Sequence, residues 1–160
     1  MTFPRGAIDE AFSLLPPKWD TPAARQLHAA IGYQESRYEH RRQVISVQGV
    51  LKEAGPACGY WQFERAGGVR GVMRFGGLVT SKAMHVCNVR GVPFKEEDVW
   101  ITLSRDDVLA AAFARLLMYT DRGALPTTKN EAWAMYKRVW GPGKPHPETW
   151  DDAWAFGAAA

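Results

Sequence analysis

The sequence contains little cysteine and no pattern typical of a metal site. Its two cysteines, Cys58 and Cys87, stand far apart, and four histidines are scattered without ligand spacing. Structural zinc sites need close pairs of such ligands, so we expect no metal and no cofactor. In a chain made in a reducing cytoplasm, two cysteines are expected to remain free thiols.

Long apolar runs are absent too, and none approaches the length of a membrane span. The first twelve residues lack a basic stretch followed by an apolar run, so we expect no signal peptide. There is no Gly-x-Ser-x-Gly elbow, and the segment Gly67 to Gly71 lacks the Lys-Ser/Thr of a phosphate-binding loop.

The composition is typical of one globular domain covering residues 1–160, with 46% hydrophobic and 23% charged residues. The net charge of +3 is compatible with an anionic polymer as partner, but plain solubility explains it equally well. Seven tryptophans suit both a protein core and a carbohydrate site, where flat rings cover the apolar faces of sugars.

Apolar spacing predicts a mainly α fold with a small extended or β region in the middle. The predicted helices cover Gly6–Leu15, Pro22 to about Tyr38, Leu78–Val89, a helix from Ser104, one from Thr128 to Trp140 and a short last helix around Trp150. Val44–Leu51 is predicted to be extended, Gly55-Pro56 a turn and "GYWQFE" a short strand or hairpin arm.

Capping residues mark several helix starts. Thr21 and Thr128 are predicted N-caps, and Ser104 with Asp107 three residues later resembles a capping box. The residues from Arg90 to Leu103 are predicted to be a loop, and the last four residues a frayed tail.

An acid lies at the end of an apolar stripe in the second helix. Leu27, Ile31 and Glu35 are four residues apart and share one face. Glu35 either turns to solvent or pairs with Arg37, Arg41 or Arg42, or it is partly desolvated with a raised pKa, which suits a general acid. The periodicity leaves both interpretations open.

The stretch "GYWQFE" presents a second candidate site. Its large aromatic residues suit the core, but the amide of Gln62 offers donors and an acceptor suited to sugar hydroxyl and N-acetyl groups. Gly59 would allow a ligand to approach the backbone.

Together, "QESRY" at a helix end, "GYWQFE" downstream and a late tyrosine before "GPG" resemble the lysozyme-like superfamily of soluble lytic transglycosylases and goose-type lysozymes, in the small form found in phage endolysins. Its Glu-Ser pair matches Glu35 and Ser36, its Gly-x-x-Gln box matches Gly59 to Gln62, and its late tyrosine matches Tyr136. The sequence departs from the family at Tyr60-Trp61, where Leu-Met is usual, and at Lys137, where asparagine is usual. The gap between the first two motifs is also long, and "VISVQGVL" is interpreted as an inserted element.

The resemblance implies a single-domain glycosidase, a muramidase or lytic transglycosylase that cleaves the MurNAc-β-1,4-GlcNAc bond of peptidoglycan. It implies that Glu35 is the catalytic acid, and it places substrate-binding positions at Ser36, Tyr60, Trp61, Gln62 and Tyr136. We expect a monomeric phage lysin that binds glycan strands and not nucleic acid. Without a leader, it would leave the host cytoplasm through a holin or travel with the virion to reach the cell wall.

A second carboxylate is required only for one outcome of the reaction. An inverting hydrolase needs one roughly 6.5–9.5 Å from the acid, whereas a transglycosylase needs none. Glu64, Glu53 and Glu39 are candidates, with Glu64 first because it follows the glutamine box. Alternatively, Glu64 is a surface residue paired with Arg65 or Arg70.

Two other functions stay open. The chain could be a non-catalytic peptidoglycan-binding or virion structural protein that keeps the fold. A nucleic-acid binder would use the arginines near residue 40, but no nucleic-acid motif is present.

Overall fold

The helices and strands of the computed structural model, which describes all 160 residues, confirm a mainly helical fold with a small sheet in the middle. The α-helices are α1 (Arg5–Ser13), α2 (Pro22–Ser36), α3 (Arg70–Arg74), α4 (Gly77–Val89), α5 (Glu96–Thr102), α6 (Asp107–Tyr119), α7 (Lys129–Trp140) and α8 (Trp150–Ala159). The strands are β1 (Arg42–Val47), β2 (Val50–Cys58) and β3 (Phe63–Glu64).

The sheet is antiparallel in the order β1-β2-β3. The predicted inserted element forms the β1-β2 hairpin. The predicted turn at Gly55-Pro56 is wrong, because both residues lie within β2. They lie where the β1-β2 register shifts between Arg42 and Val44, an interruption at which a strand tolerates proline's missing N–H.

The core is built around α6. Every residue from Val108 to Met118 is buried, as expected for a helix covered on all sides. Helices α1 and α4 pack against α6, while α8 packs along α2. One cluster of 38 buried residues joins these elements, so the chain forms a single domain.

Two predicted helix caps are confirmed and one is wrong. Thr21 Oγ1 accepts a hydrogen bond from Ala24 N at 3.1 Å, and Thr128 Oγ1 accepts one from Glu131 N at 3.3 Å. Helix α6, however, is capped by Asp106 and not by Ser104. The Asp106 carboxylate accepts from two backbone N–H groups of the first turn, whereas the Ser104 hydroxyl donates to a carbonyl of the preceding turn.

The predicted loop from Arg90 to Leu103 is also wrong, because it contains α5. Three acidic residues in the first turn of α5 favour a helix start there, and Val99 anchors the helix in the core. The chain end is not frayed either, since α8 continues to Ala159. Gly157 lies so close to the backbone oxygen of Gln26 that a side chain there would collide with α2.

None of the helices combines the length and hydrophobicity that a transmembrane span requires. Cys58 and Cys87 are free thiols, and both are buried.

Candidate active site

Glu35 lies in the last turn of α2. The end of this helix is fixed by Arg37 and Tyr38, the two residues that follow the helix. Arg37 and Tyr38 both adopt left-handed backbone conformations, with φ of 52° and 55°. The chain therefore turns back, and the Tyr38 ring enters the core, where its hydroxyl donates to Ala29 O at 2.8 Å. This ring lies directly against Gly32, where a Cβ atom would collide with it. A bulky, buried contact thus sets where the helix stops.

Ser36 also helps to end the helix. Its hydroxyl donates to Gly32 O and accepts from Tyr38 N, both at 3.1 Å. Although Ser36 lines a surface depression beside Glu35, its hydroxyl is engaged in these internal bonds. These bonds give Ser36 a positioning role at the end of the helix, and its contact with a substrate stays a prediction.

The Glu35 carboxyl is largely enclosed by protein. Burial raises its pKa to about 7, and a hydrogen bond from Tyr136 lowers it by less. That bond joins Tyr136 Oη to Glu35 Oε1 at 2.7 Å. Tyr136 itself is buried on α7, and its ring stacks on Trp150 with centroids 5.4 Å apart. The predicted proximity of Glu35 and Tyr136 is thus present, across 101 residues of sequence.

Two adjoining surface depressions meet at Glu35. One has a volume of about 320 Å³ and lies between β3 and the loop after α7, and the other has about 410 Å³ and lies between the end of α2 and β1. Glu35, Gln43 and Gln62 line both. The carboxyl consequently lies near the middle of a continuous groove, which is referred to below as the Glu35 groove.

Gln62 faces this groove from a tight turn. Its φ is 55°, and both its backbone N and its side-chain Nε2 donate to Gly59 O, at 2.9 and 3.0 Å. The side chain is half-buried and held in place. The predicted site residues Glu35, Gln62 and Tyr136 therefore come together.

Tyr60 and Trp61 do not join them, and their predicted substrate contacts need correction. The turn directs both side chains into the core, with exposures of 2% and 1%. The Trp61 Nε1 donates to His28 O at 2.9 Å, and the Tyr60 ring lies under the Arg41 guanidinium. Gly59 is buried against Leu103, so its absent side chain serves packing and not the approach of a ligand.

Glu64 lines the 320 Å³ depression from β3 and is exposed. The alternative pairing with Arg65 or Arg70 is not formed, because these arginines bind Glu97 at 2.7 Å and Glu96 at 3.0 Å. The other two candidate acids, Glu39 and Glu53, line neither depression of the groove.

Gln43, Trp140 and Lys144 are among the groove residues that sequence reasoning missed, and all three line the 320 Å³ depression. Gln43 Oε1 accepts from Ala57 N at 3.2 Å, which holds the amide between β1 and β2. Trp140 Nε1 donates to Trp61 O at 2.9 Å and so ties the end of α7 to the Gln62 turn. For the side of the groove formed by the loop after α7, the only sequence signal is "WGPGK", where a helix ends in an aromatic residue followed by a rigid turn and a cation.

No cluster of three or more His, Cys, Asp or Glu side chains is arranged to hold a metal ion. Comparison with known proteins adds no name to this site, because no family model, curated protein or solved structure matches the chain.

Proposed function

We propose that this protein is a peptidoglycan-degrading glycosidase, a muramidase or lytic transglycosylase, that cleaves the β-1,4 bond between N-acetylmuramic acid and N-acetylglucosamine. The observation that supports this most is one carboxyl, Glu35, with a pKa raised to about 7, at the middle of a groove. A carboxylic acid that keeps its proton near neutral pH is what protonation of a glycosidic oxygen requires.

Glu35 acts first as the general acid. Tyr136 Oη donates to Oε1, so Oε2 is the oxygen that carries the proton to the leaving group. When the proton has moved, Glu35 becomes a carboxylate, and the bond from Tyr136 then strengthens because its acceptor is charged. Tyr136 thus favours the state that follows bond cleavage.

The groove suits a polymer with sugars on both sides of the scissile bond. Depressions of about 320 and 410 Å³ flank the carboxyl. The amides of Gln43 and Gln62 offer donors and acceptors to hydroxyl and N-acetyl groups in both. Trp140 adds an aromatic surface for a sugar face in the 320 Å³ depression, beside the loop after α7.

Two fates of the cleaved sugar fit this site. In transglycosylation, the Glu35 carboxylate acts as base while the muramyl 6-hydroxyl closes an anhydro ring, and no second acid is used. In hydrolysis by inversion, a second carboxylate activates a water molecule. Glu64 is the candidate because it is the other acid that lines the groove.

As a biological role we propose a phage lysin that acts as a monomer on the bacterial wall. The net charge of +3 suits binding to an anionic wall. A non-catalytic wall-binding protein is the alternative that the following experiment separates.

The test is digestion of purified sacculi, with the soluble muropeptides identified by mass spectrometry. We expect release by the wild type and a loss of about 10²- to 10⁴-fold for Glu35→Gln, because an amide cannot donate the proton. Glu39→Gln is the matched control, since Glu39 lies four residues later, is exposed and lines no part of the groove. Binding to sacculi without release, or equal release by Glu35→Gln, would refute the proposal.

The same digestion separates the two fates. Reducing ends together with a loss of activity in Glu64→Gln indicate hydrolysis with Glu64 as base. Anhydro-muramyl ends together with an active Glu64→Gln variant indicate transglycosylation.

A further inference from the structure

A second cavity has a volume of about 550 Å³ and lies apart from Glu35. It shares no lining residue with the 320 Å³ depression that contains Glu35. It is formed by the end of α6, the loop that follows α6 and the residues just before α2. Below it is called the Arg115 cavity, after the one strongly buried cation in its wall.

Arg115 is only 4% exposed, and no carboxylate forms a salt bridge with it. Its Nε donates to Trp19 O at 3.1 Å, while its buried Nη1 has no hydrogen-bond partner. Burial lowers the pKa of this guanidinium to about 10. The acids nearby are engaged elsewhere, Asp20 with Arg25 and Asp121 with Arg138. Arg115 is therefore a cation withdrawn from water that no carboxylate bonds directly, although Asp20 favours its charge from a distance and its guanidinium lies 5.4 Å from the centre of the Trp19 ring.

Trp19, in the same wall, has a second donor without a partner, its buried Nε1. Leaving a buried donor unsatisfied destabilises a protein, so such groups are rare in native structures. Two of the three buried side-chain atoms without partners in this protein belong to this one cavity. Their coincidence indicates a place for an acceptor, and the charge of Arg115 favours an anionic one.

The mouth of the cavity adds positive charge and aromatic surface. Lys18 and Arg122 are exposed there. Phe75 and Tyr119 also line the cavity, with exposures of 46% and 42%, which is high for aromatic side chains. The Tyr119 ring stacks on Trp19 with centroids 4.1 Å apart and partly covers it.

We propose that the Arg115 cavity binds an organic oxyanion, a carboxylate or phosphate carried by a ligand with an apolar face such as a sugar ring. The oxygens accept hydrogen bonds from Arg115 Nη1 and Trp19 Nε1, and the apolar face lies on Phe75 and Tyr119. Both donors are buried, so the side chains that cover them shift when the ligand binds. This binding site does not depend on the proposed function of the Glu35 groove.

The test uses the indole N–H signals of the ¹⁵N-labelled protein, with that of Trp19 assigned from its loss in Trp19→Phe. The probes are N-acetylmuramic acid, glucose 6-phosphate, inorganic phosphate and neutral N-acetylglucosamine, titrated at constant ionic strength. We expect the two organic anions to give a saturable downfield shift of the Trp19 signal, and the neutral sugar to give none. A response to N-acetylmuramic acid alone assigns the site to carboxylates, and one to glucose 6-phosphate alone assigns it to phosphates. Inorganic phosphate binding as tightly as both organic anions would refute the organic part of the proposal.

Variants locate the effect. Arg115→Met is expected to weaken binding by at least about tenfold, the usual effect of losing a charge-assisted hydrogen bond. Replacing both Lys18 and Arg122 by glutamine, at exposed positions where folding is not at risk, is expected to weaken binding by about threefold. Lys52→Gln, an exposed cation on the β1-β2 hairpin, is the matched control and should bind as the wild type does. No saturable shift with any anion, or unchanged binding in the Lys18/Arg122 double variant, would overturn the proposal.

Discussion

His28 and Glu35 lie two turns apart on α2, and burial disfavours the charged form of both. Because their charged forms are opposite, the same effect moves their pKa values in opposite directions. The pKa of His28 falls to about 3, while that of Glu35 rises to about 7.

Their surroundings differ more than their pKa values. His28 Nε2 donates to Ala111 O at 2.9 Å, since a carbonyl can only accept, and its ring lies between Phe12 and Trp61. It borders only a cavity of about 30 Å³, whereas Glu35 opens onto a groove. A perturbed pKa therefore marks a candidate site only when the group also reaches a space that a substrate can enter.

The largest expected contrast is between His28→Ala, which should lower stability, and Glu35→Gln, which should lower activity. His28→Ala removes a ring that packs in the core and should lower the free energy of unfolding by about 2–4 kcal/mol, with full activity in the folded fraction. Urea unfolding and muropeptide release measure the two quantities. His85→Ala, at an exposed position on α4, should change neither. Folded His28→Ala as inactive as Glu35→Gln would show that the two residues do not differ in role.

The second prediction concerns the end of the helix that carries Glu35. Gly32→Ala places a Cβ against the buried Tyr38 ring and should destabilise the protein by about 1–3 kcal/mol. The matched control is Gly6→Ala on α1, where no atom lies within 4 Å of the added Cβ. Thermal unfolding compares the two variants. Equal stability would mean that the contact with Tyr38 does not fix the helix end.

The third prediction uses the dependence of stability on pH. From the ordinary pKa of glutamate, 4.5, up to about 7, Glu35 holds a proton only in the folded state, so its contribution falls as pH rises. From about 3 up to the ordinary pKa of histidine, 6.5, His28 binds a proton only in the unfolded state, so its contribution rises with pH. Between pH 4.5 and 6.5 the two slopes oppose each other.

Single variants should reveal each slope. Relative to the wild type, stability should rise by about 1.4 kcal/mol per pH unit in Glu35→Gln and fall by about as much in His28→Leu. Urea unfolding at several pH values across this window measures both. Slopes identical to that of the wild type would contradict the assigned pKa directions.

The smallest expected effect is that of Tyr136→Phe. The hydrogen bond from Tyr136 lowers the pKa of Glu35, so its loss should move the alkaline limb of the activity profile to higher pH. Release of muropeptides should fall by about tenfold, because the product carboxylate loses its donor. Tyr33→Phe, a half-buried tyrosine on the same helix as Glu35, controls for the loss of a hydroxyl. An unshifted profile would separate Tyr136 from the acid.

Sequence patterns predicted the helices well where one face is apolar and a side chain caps the start. Thr21 and Thr128 are such cases. The α5 helix has no clear sequence signal. It is only seven residues long and has one buried residue, Val99, so its apolar residues show little periodicity. The capping-box pattern predicts Ser104 as the cap of α6, but Asp106 precedes the same apolar stripe, and only the backbone geometry distinguishes them.

For the site, periodicity puts Glu35 on one face with Leu27 and Ile31 but does not decide whether its carboxyl turns to solvent or is buried. Its nearness to Tyr136 depends on how α2 and α7 pack. The inward direction of Tyr60 and Trp61 could not be read from alternation. Gly59 and Gln62 both have positive φ, so these residues form a turn in which successive side chains need not alternate. The Arg115 cavity has no local sequence signal, because Trp19 and Arg115 are 96 residues apart.

The crossing of the last helix over α2 limits which residues position 157 accepts. Any residue larger than glycine there would push α8 outward, and with it Trp150, the ring on which Tyr136 rests. The orientation of the acid thus depends on a hydrogen atom in place of a methyl group, far along the chain. Distant relatives that preserve this chemistry are expected to keep that position small, even where the aromatic residues of the core have been exchanged.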